Sequence, residues 1–569
     1  MLNAVAISSF FTISLSAHAS SDAALRGLVR TGDTAPLNSG TSTFSTISRV
    51  VARGDNTVFV ANTASGLRGI WESTSSTISL VALEGQATTA LSGSFNVYGN
   101  NLGSSLSSRG SYVFFTTNLT GAAATSNEAI LGSSNPSGGL TAYVQEGVTT
   151  APSSAAGAKI LFVDPPQATI PYANGNGHIA IRASDSAQSR IGIWTVGPSV
   201  IQNVAHVGNP APGVTPVTAF SGLDSFAINV FDDVAFNGSY GSTTCLYLNS
   251  TRVASRNDLE PNEAGGTTTG TYFNLFTDPE LNDLGTVVFQ SNVINSSLPA
   301  TDFGGVYQFQ GSTLTRRVRA GATAPGSTKT FSTSFESLVL NNRDFLCFRN
   351  ALNNFPNVPP YGIFLQMFGT VQNIAVEGSP LPLSLGVSGT WGMPGFPAMN
   401  EFGQVVFRAN TLVVAYDPRY GYYNVIRSGQ TVTFPGGGLV AAAATFNGGG
   451  HGTPMLLTES GRVVLRFDTN SSPDGIIEAQ LPPPGCSPAD VAYDDGTPLS
   501  QPSFTKTNSG INEGDYNAFF NGFYTGQIWT DIADDSGSAR EPYGASGANN
   551  GVNEGDYNLF FNTFFNGCP

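Results

Sequence analysis

The side chains best suited to coordination chemistry lie near the C-terminus, and they occur twice. Asp490, Asp494, Asp495, Asn512 and Asp515 form one set; at an offset of 41 the matching stretch supplies Asp531, Asp534, Asp535, Asn553 and Asp556. Ca²⁺ takes six to eight oxygen ligands, often closing its shell with a carboxylate at the start of a helix, so each set is a candidate calcium site. The spacing from Asp490 to Asp515 is longer than a 12-residue calcium loop. The pattern Asn512-Glu513-Gly514-Asp515, repeated as Asn553-Glu554-Gly555-Asp556, equally reads as helix capping, with Asn as the N-cap and Asp facing the first free amides. The two readings are compatible, and both stand at this point.

Elsewhere, residues for catalysis are sparse. Outside the N-terminal segment the histidines are His178, His206 and His451; the first two lie in strand patterns and read as structural, the third in the Gly-rich loop 446–454. There is no Gly-x-Ser-x-Gly, His-Glu-x-x-His or Walker-type loop. Glu84, Glu146 and Glu377 each precede the Gly that ends a Val-rich strand in three different repeats, the mark of a turn rule rather than of a carboxylate pair. Two function classes follow: a non-catalytic binding or structural protein, and, as the alternative, a glycosidase or polysaccharide lyase acting on extracellular glycans. They separate on whether a central pocket gathers two carboxylates, or a His with Tyr and Arg, from different repeats.

Each C-terminal acidic set must be positioned by a helix. GINEGDYNAFFNGFYT (510–525) and GVNEGDYNLFFNTFFN (551–566) are identical at 11 of 16 positions. Tyr516, Phe519, Phe520, Phe523 and Tyr524 fall at i, i+3, i+4, i+7 and i+8, and Tyr557, Phe560, Phe561, Phe564 and Phe565 repeat the stripe, so two aromatic faces can pack together. Cys486 and Cys568 bracket this small unit, each preceded by Gly, and suit a disulfide clasp. With Gly485-Cys486 opening and Gly567-Cys568 closing two loop-helix halves, residues 486–569 resemble the GC-type dockerin modules of secreted bacterial proteins. The resemblance implies anchoring or sorting through a protein partner.

The rest of the chain is a repeat. A turn followed by an alternating strand recurs eight times, as in ANGNGHIAIRA (173–183), LNDLGTVVFQS (281–291), LNNRDFLCFRN (340–350) and MNEFGQVVFRA (399–409). A second strand such as Gly69-Ile70-Trp71 follows each copy, then usually a Val-rich strand ending in Gly. The eighth copy lacks that last strand, while an orphan, LVRTGDTAP (28–36), precedes the first. A closed ring explains the split: the N-terminal strand completes the last blade and leaves no exposed edge. The expectation is an all-β, eight-bladed β-propeller (seven-bladed as alternative) over 20–481, a stiff linker at 482–485, and the module at 486–569. A β-sandwich array or solenoid is the structural alternative, and neither explains the split repeat.

Composition suits an all-β chain, and the N-terminus suits export. Charged residues are 11%, with 66 Gly, suiting short strands and turns. The apolar run Leu2–Leu15 before Ala17-His18-Ala19 reads as a signal peptide over 1–19, implying a secreted, extracellular or cell-surface protein. Of a net charge of −15, the segment from Cys486 onward holds eleven acidic residues against Lys506 and Arg540. No basic stripe is present for nucleic acid, and no later stretch is long and apolar enough to span a membrane. Cys245 and Cys347 fall at non-equivalent repeat positions and are expected as buried thiols.

Overall fold

The computed structural model describes residues 22–568, except 75–76, 92–96, 100–101, 104, 122–126, 153–155, 162–171, 296–301, 354–358, 436, 441–442, 446–455, 470–471, 541 and 545–550. The expected signal peptide and His451 lie outside the described residues.

Antiparallel strands follow one another in eight sheets of four or more strands. Seven are continuous in the chain, at 34–83 (blade 1), 106–145 (blade 2), 160–206 (blade 3), 222–255 (blade 4), 259–319 (blade 5), 330–376 (blade 6) and 398–427 (blade 7). The eighth is assembled from both ends: Ala24–Arg30 pairs with Ser472–Gln480, Val29 opposite Ile476, and Ser472–Gln480 pairs in turn with Arg462–Thr469. The split repeat is therefore the closure of a propeller ring.

Alternation along each strand sends neighbouring residues to opposite blades. In blade 7, Val405 and Phe407 pack toward blade 6, while Val406 packs toward blade 8. One apolar core fills each of the eight junctions, including blade 8 against blade 1, where Val464 and Ile476 meet Phe44, Phe59 and Trp71. The Gly of the Gly-Ile-Trp phrase is dictated by the aromatic two residues on: a Cβ at Gly69 would lie 2.5 Å from the Trp71 ring, and one at Gly192 2.4 Å from that of Trp194. Cys245 and Cys347 are free and buried in these cores.

The recurring turn explains the Asn in the repeat phrase. Asn174, Asn229, Asn282, Asn341 and Asn400 are almost wholly buried. Each Oδ1 accepts from the main-chain N–H groups two and four residues on, fixing the turn. Each Nδ2 donates to the main-chain carbonyl of the equivalent residue in the next blade, at 2.8 to 3.3 Å, ending on Thr458. A belt of amides thus runs from blade 3 to blade 8. Glu84, Glu146 and Glu377 also share one role, each accepting from a main-chain N–H at the start of a neighbouring strand, of Arg68, Asn127 and Tyr361.

After Leu481 the chain stays on blade 7: Gln404 Nε2 donates to the Pro482 carbonyl at 2.8 Å, and Arg419 Nη2 to that of Pro483 at 3.4 Å. Two helices follow, α1 (Glu513–Tyr524) and α2 (Glu554–Phe564). Phe519 and Phe560 stack at 3.9 Å in their core. The aromatic stripe is wider than that contact, leaving Tyr516, Tyr524 and Phe565 exposed. Cys486 and Cys568 are joined. Among the described residues no helix is long and apolar enough to cross a membrane.

Truncating Asn341 to Ala leaves two N–H groups of its own turn without partners and takes from the Asn400 carbonyl of blade 7 one of its two donors. The expected cost is about 2 kcal/mol or more, read as a lower midpoint in urea unfolding. An unchanged midpoint would remove the belt from any account of stability.

Candidate functional site

Three places gather groups capable of chemistry. The first is the duplicated acidic set. Asp515 is fully buried, and its Oδ1 accepts from Val491 N and Ala492 N, both at 2.8 Å, while Oδ2 accepts from Asn512 N at 2.9 Å. Asp556 repeats this with Ile532 N, Ala533 N and Asn553 N at 2.6 to 2.8 Å. Asn512 and Asn553 are the N-caps, each completing a capping box with the Asp. Burial, with the charge of Asp490 adding to it, pushes the Asp515 carboxyl up to about 6; burial also raises that of Asp556.

The other members of the sets point elsewhere. Asp494 is held by Thr507, Ser509 and Asn512, bonds that keep its carboxyl below the usual range. Asp495 pairs with Lys506, which pulls it down to about 2. Asp490 accepts from Cys486 N and Asn508 Nδ2. Asp531 pairs with Arg540, Asp534 accepts from Ser536 and Ser538, and Asp535 from Asn553 Nδ2. Among the described residues the group of acidic or thiol side chains whose ligand atoms come within 4.8 Å of one another is Cys486, Asp490 and Cys568, two of which form the disulfide. In this arrangement Asp515 and Asp556 receive main-chain amides, and the other members of each set are engaged by donors of the module itself.

The second place is the axis of the ring. Beside the Asn belt, each turn's next residue makes a further lock: Val230 N donates to Asp283 Oδ1, Asp283 N to Asn342 Oδ1, Asn342 N to Glu401 Oε2 and Glu401 N to Glu459 Oε2, at 2.7 to 3.0 Å. Partial desolvation between the turns and the charge of Glu459 push the Glu401 carboxyl up to about 7, and crowding by the same turns raises Glu459, whose residue stays exposed. Arg109 of blade 2 pulls both the other way. Blade 2 can act on blades 7 and 8 at once only near the axis, so these turns ring its mouth. Two carboxylates from adjacent blades therefore meet there, which the sequence reading did not identify. The signal was present as an acidic residue at the third position of copies LNDLG, MNEFG and LTESG.

The third place is the seam between blade 7 and the C-terminal module. Arg419 and Tyr420 of blade 7 face Asp490, Trp529, Asp531 and Arg540 across a cleft of about 370 Å³ open to solvent. Arg419 is bidentate to Asp417, with Nε to Oδ1 at 3.1 Å and Nη2 to Oδ2 at 2.9 Å. The two strand histidines are structural, His206 Nε2 to buried Asp185 at 2.9 Å and His178 Nδ1 to Asp232 at 2.7 Å.

A family profile matches residues 9–189 and 259–420, more than half of the chain. The chain belongs to a family of unknown function, DUF7453. The family match lies wholly before residue 421, so it leaves the C-terminal module outside. No curated protein matches the chain. Similar solved structures include the β-propeller domain of the Trilobed protease from Pyrococcus furiosus, 9% identical over 66% of this chain and 94% of that one, with a TM-score of 0.35. An alpha-L-arabinanase of Penicillium chrysogenum, complexed with arabinobiose, is 12% identical over 55% of this chain and 92% of that one, TM-score 0.26. The polysaccharide lyase Uly1 is 12% identical over 69% and 94%, TM-score 0.29. At these identities and scores none of them bears on what this chain does.

Two outcomes are expected from the site geometry. Asp515→Ala and Asp556→Ala each orphan three main-chain donors and lower stability by about 1 to 2 kcal/mol, equally in calcium and in EDTA at matched ionic strength. A larger cost in calcium than in EDTA would make these carboxylates metal ligands as well as caps. For Glu401, the folded carboxyl at about 7 exceeds the free value near 4.3, so the folded state holds the proton more tightly. Its contribution is favourable at low pH and is lost as pH rises through about 7, so unfolding midpoints across pH 4.5 to 8 should fall. Glu401→Gln should flatten that fall.

Proposed function

We propose that this protein is an exported, non-catalytic propeller that binds an extracellular ligand, glycans foremost, and is held in place by its C-terminal dockerin-like module. One observation carries the non-catalytic reading: the carboxylates gathered at the axis repeat a turn lock. Asp283, Asn342, Glu401 and Glu459 all accept a main-chain N–H from the preceding blade, so the acidic pair is two members of a ring-closing series. The exposed Tyr516 and Tyr524 of α1 and Phe565, the C-cap of α2, supply the module with aromatic surface for a protein partner.

A second reading has a specific observation in its favour. A glutamate raised to about 7 beside another from the neighbouring blade is the arrangement of a proton donor with a stabilising carboxylate, as in glycoside hydrolysis or lyase chemistry. One experiment separates the two. The full chain is placed on a glycan array, and the same glycans are incubated with it and assayed for new reducing ends and unsaturated products. Binding without turnover is the expected result. Turnover that disappears in Glu401→Gln would make the axial mouth an active site.

A further inference from the structure

The aromatic side chains of α1 and α2 are arranged about an internal two-fold axis. The ring contacts of one half recur in the other at the offset of 41. Tyr516 lies 4.6 Å from Phe520 and Tyr557 4.7 Å from Phe561, while Phe520 to Tyr524 and Phe561 to Phe565 are both 6.0 Å. Across the pair, Tyr516 to Phe564 is 5.8 Å and Tyr557 to Phe523 is 5.9 Å. Equivalent residues that touch each other must straddle the axis. It therefore passes between Phe519 and Phe560, whose rings are 6° from parallel, and between Phe520 and Phe561, 5.7 Å apart.

Phe519 and Phe560 are wholly buried and form the module's core. Outside them, Tyr516, Phe520 and Tyr524 make one line of rings and Tyr557, Phe561 and Phe565 the other. This outer layer is uncovered: Tyr516 is 40% exposed, Tyr524 75% and Phe565 77%. At roughly 200 Å² per aromatic side chain, those three alone leave about 400 Å² of ring surface in water. That is already in the range of the largest apolar patch a monomer carries. Phe520, Tyr557 and Phe561 are partly exposed, and exposed Asn517, Asn521, Asn558 and Asn562 flank the two lines. With these the face approaches the ~800 Å² that one partner gives to a stable interface. From Tyr516 to Tyr524, and from Tyr557 to Phe565, there is no charged residue. Rings at the centre and uncharged amides at the rim are the make-up of an interface core.

The symmetry points to what covers this face. A two-fold interface uses one patch twice, residue i meeting j while j meets i. A patch that already repeats itself about an axis through its centre offers a second copy two equivalent ways of doing so. Laid on it, the second copy brings the same ring lines and the same amides, and the four helices close a bundle. A charged partner would find nothing of opposite sign on the face to meet its charges. We infer that this face is an interface between two copies of this chain, formed by α1 and α2 of each. The inference rests on the reading that the module works through a protein partner, and it identifies that partner as the chain itself.

Sedimentation velocity and light scattering on the full chain test it. The chain should pass from monomer to dimer as its concentration rises through the micromolar range, and stop there. Two copies of net charge −15 repel, so raising salt from ~50 to ~300 mM should tighten the dimer by screening. Tyr524→Ser combined with Phe565→Ser removes the two most exposed rings of the face. It should weaken dimerisation at least tenfold at an unchanged melting temperature, while Leu383→Ser, at an exposed apolar residue of the propeller, should leave the dimer as it is. Should the double variant unfold the module, hydrogen exchange on the unaltered chain carries the test: amides of 516–524 and 557–565 should slow as the dimer forms. Association that runs on past two copies, or a dimer left intact by the double variant, overturns the interface. A chain that stays monomeric at every concentration overturns the second copy. In that case, release of the double variant from producing cells that retain the unaltered chain would leave a foreign partner on the face; equal retention would overturn the partner reading of the module as well.

Discussion

A buried amide that must satisfy both of its ends is the constraint on which the ring depends. An Asn side chain has one acceptor and two donor hydrogens, and in a dry interior each group left unpaired costs about 1 to 3 kcal/mol. Asn282 uses its oxygen to shape its own turn and its nitrogen to reach Asn341 O and Asp344 of the next blade. Neither end can be satisfied unless the turn is folded and the neighbouring blade is in register. The apolar cores between blades supply most of the stabilisation, but they are non-directional and tolerate sliding. The amide belt does not, because a shift of one residue would leave the carbonyl of the next turn out of reach.

The same logic explains what could be read from the sequence. Alternating apolar positions and the turn phrase repeat because each blade solves one packing problem, so the blades and the N-terminal closure at Val29 were legible before any coordinates. The Gly before Trp71 and Trp194 and the glutamates at 84, 146 and 377 recur for the same reason. What could not be read is where the axis brings side chains together. Glu401 and Glu459 lie 58 positions apart and look like ordinary turn residues. Only the angle between blades, a property of the whole ring, sets Arg109 near both. In the module, the aromatic spacing identified the helices, yet not which members of the stripe are covered: Phe519 and Phe560 meet, while Tyr524 and Phe565 face outward.

The acidic sets show how one residue pattern serves two physical ends. A carboxylate at the third position of a helix can close a cation's shell or receive main-chain amides, and the spacing alone does not decide between them. What decides is whether other oxygens converge on the same point. Here the long segments before the helices carry their own donors: Ser509 and Thr507 reach Asp494, Lys506 reaches Asp495, and Arg540 reaches Asp531. Each of these donors ties its carboxylate to the segment that precedes the helix. The insertion that lengthens the loop is thus also the source of the groups that occupy its carboxylates.

Propeller and module are coupled electrostatically as well as by packing. Arg343, in the turn of blade 6, donates to Pro542 O of the module at 2.9 Å, stacks on Phe402 of blade 7 at 4.8 Å, and influences the ionisation of Glu459 in blade 8. One side chain therefore touches the docked module and the axial mouth together. Displacing the module would free that guanidinium to move, and the acidic pair at the axis would lose one of the positive charges opposing its protonation. The module's seating is therefore part of what sets the ionisation of Glu459.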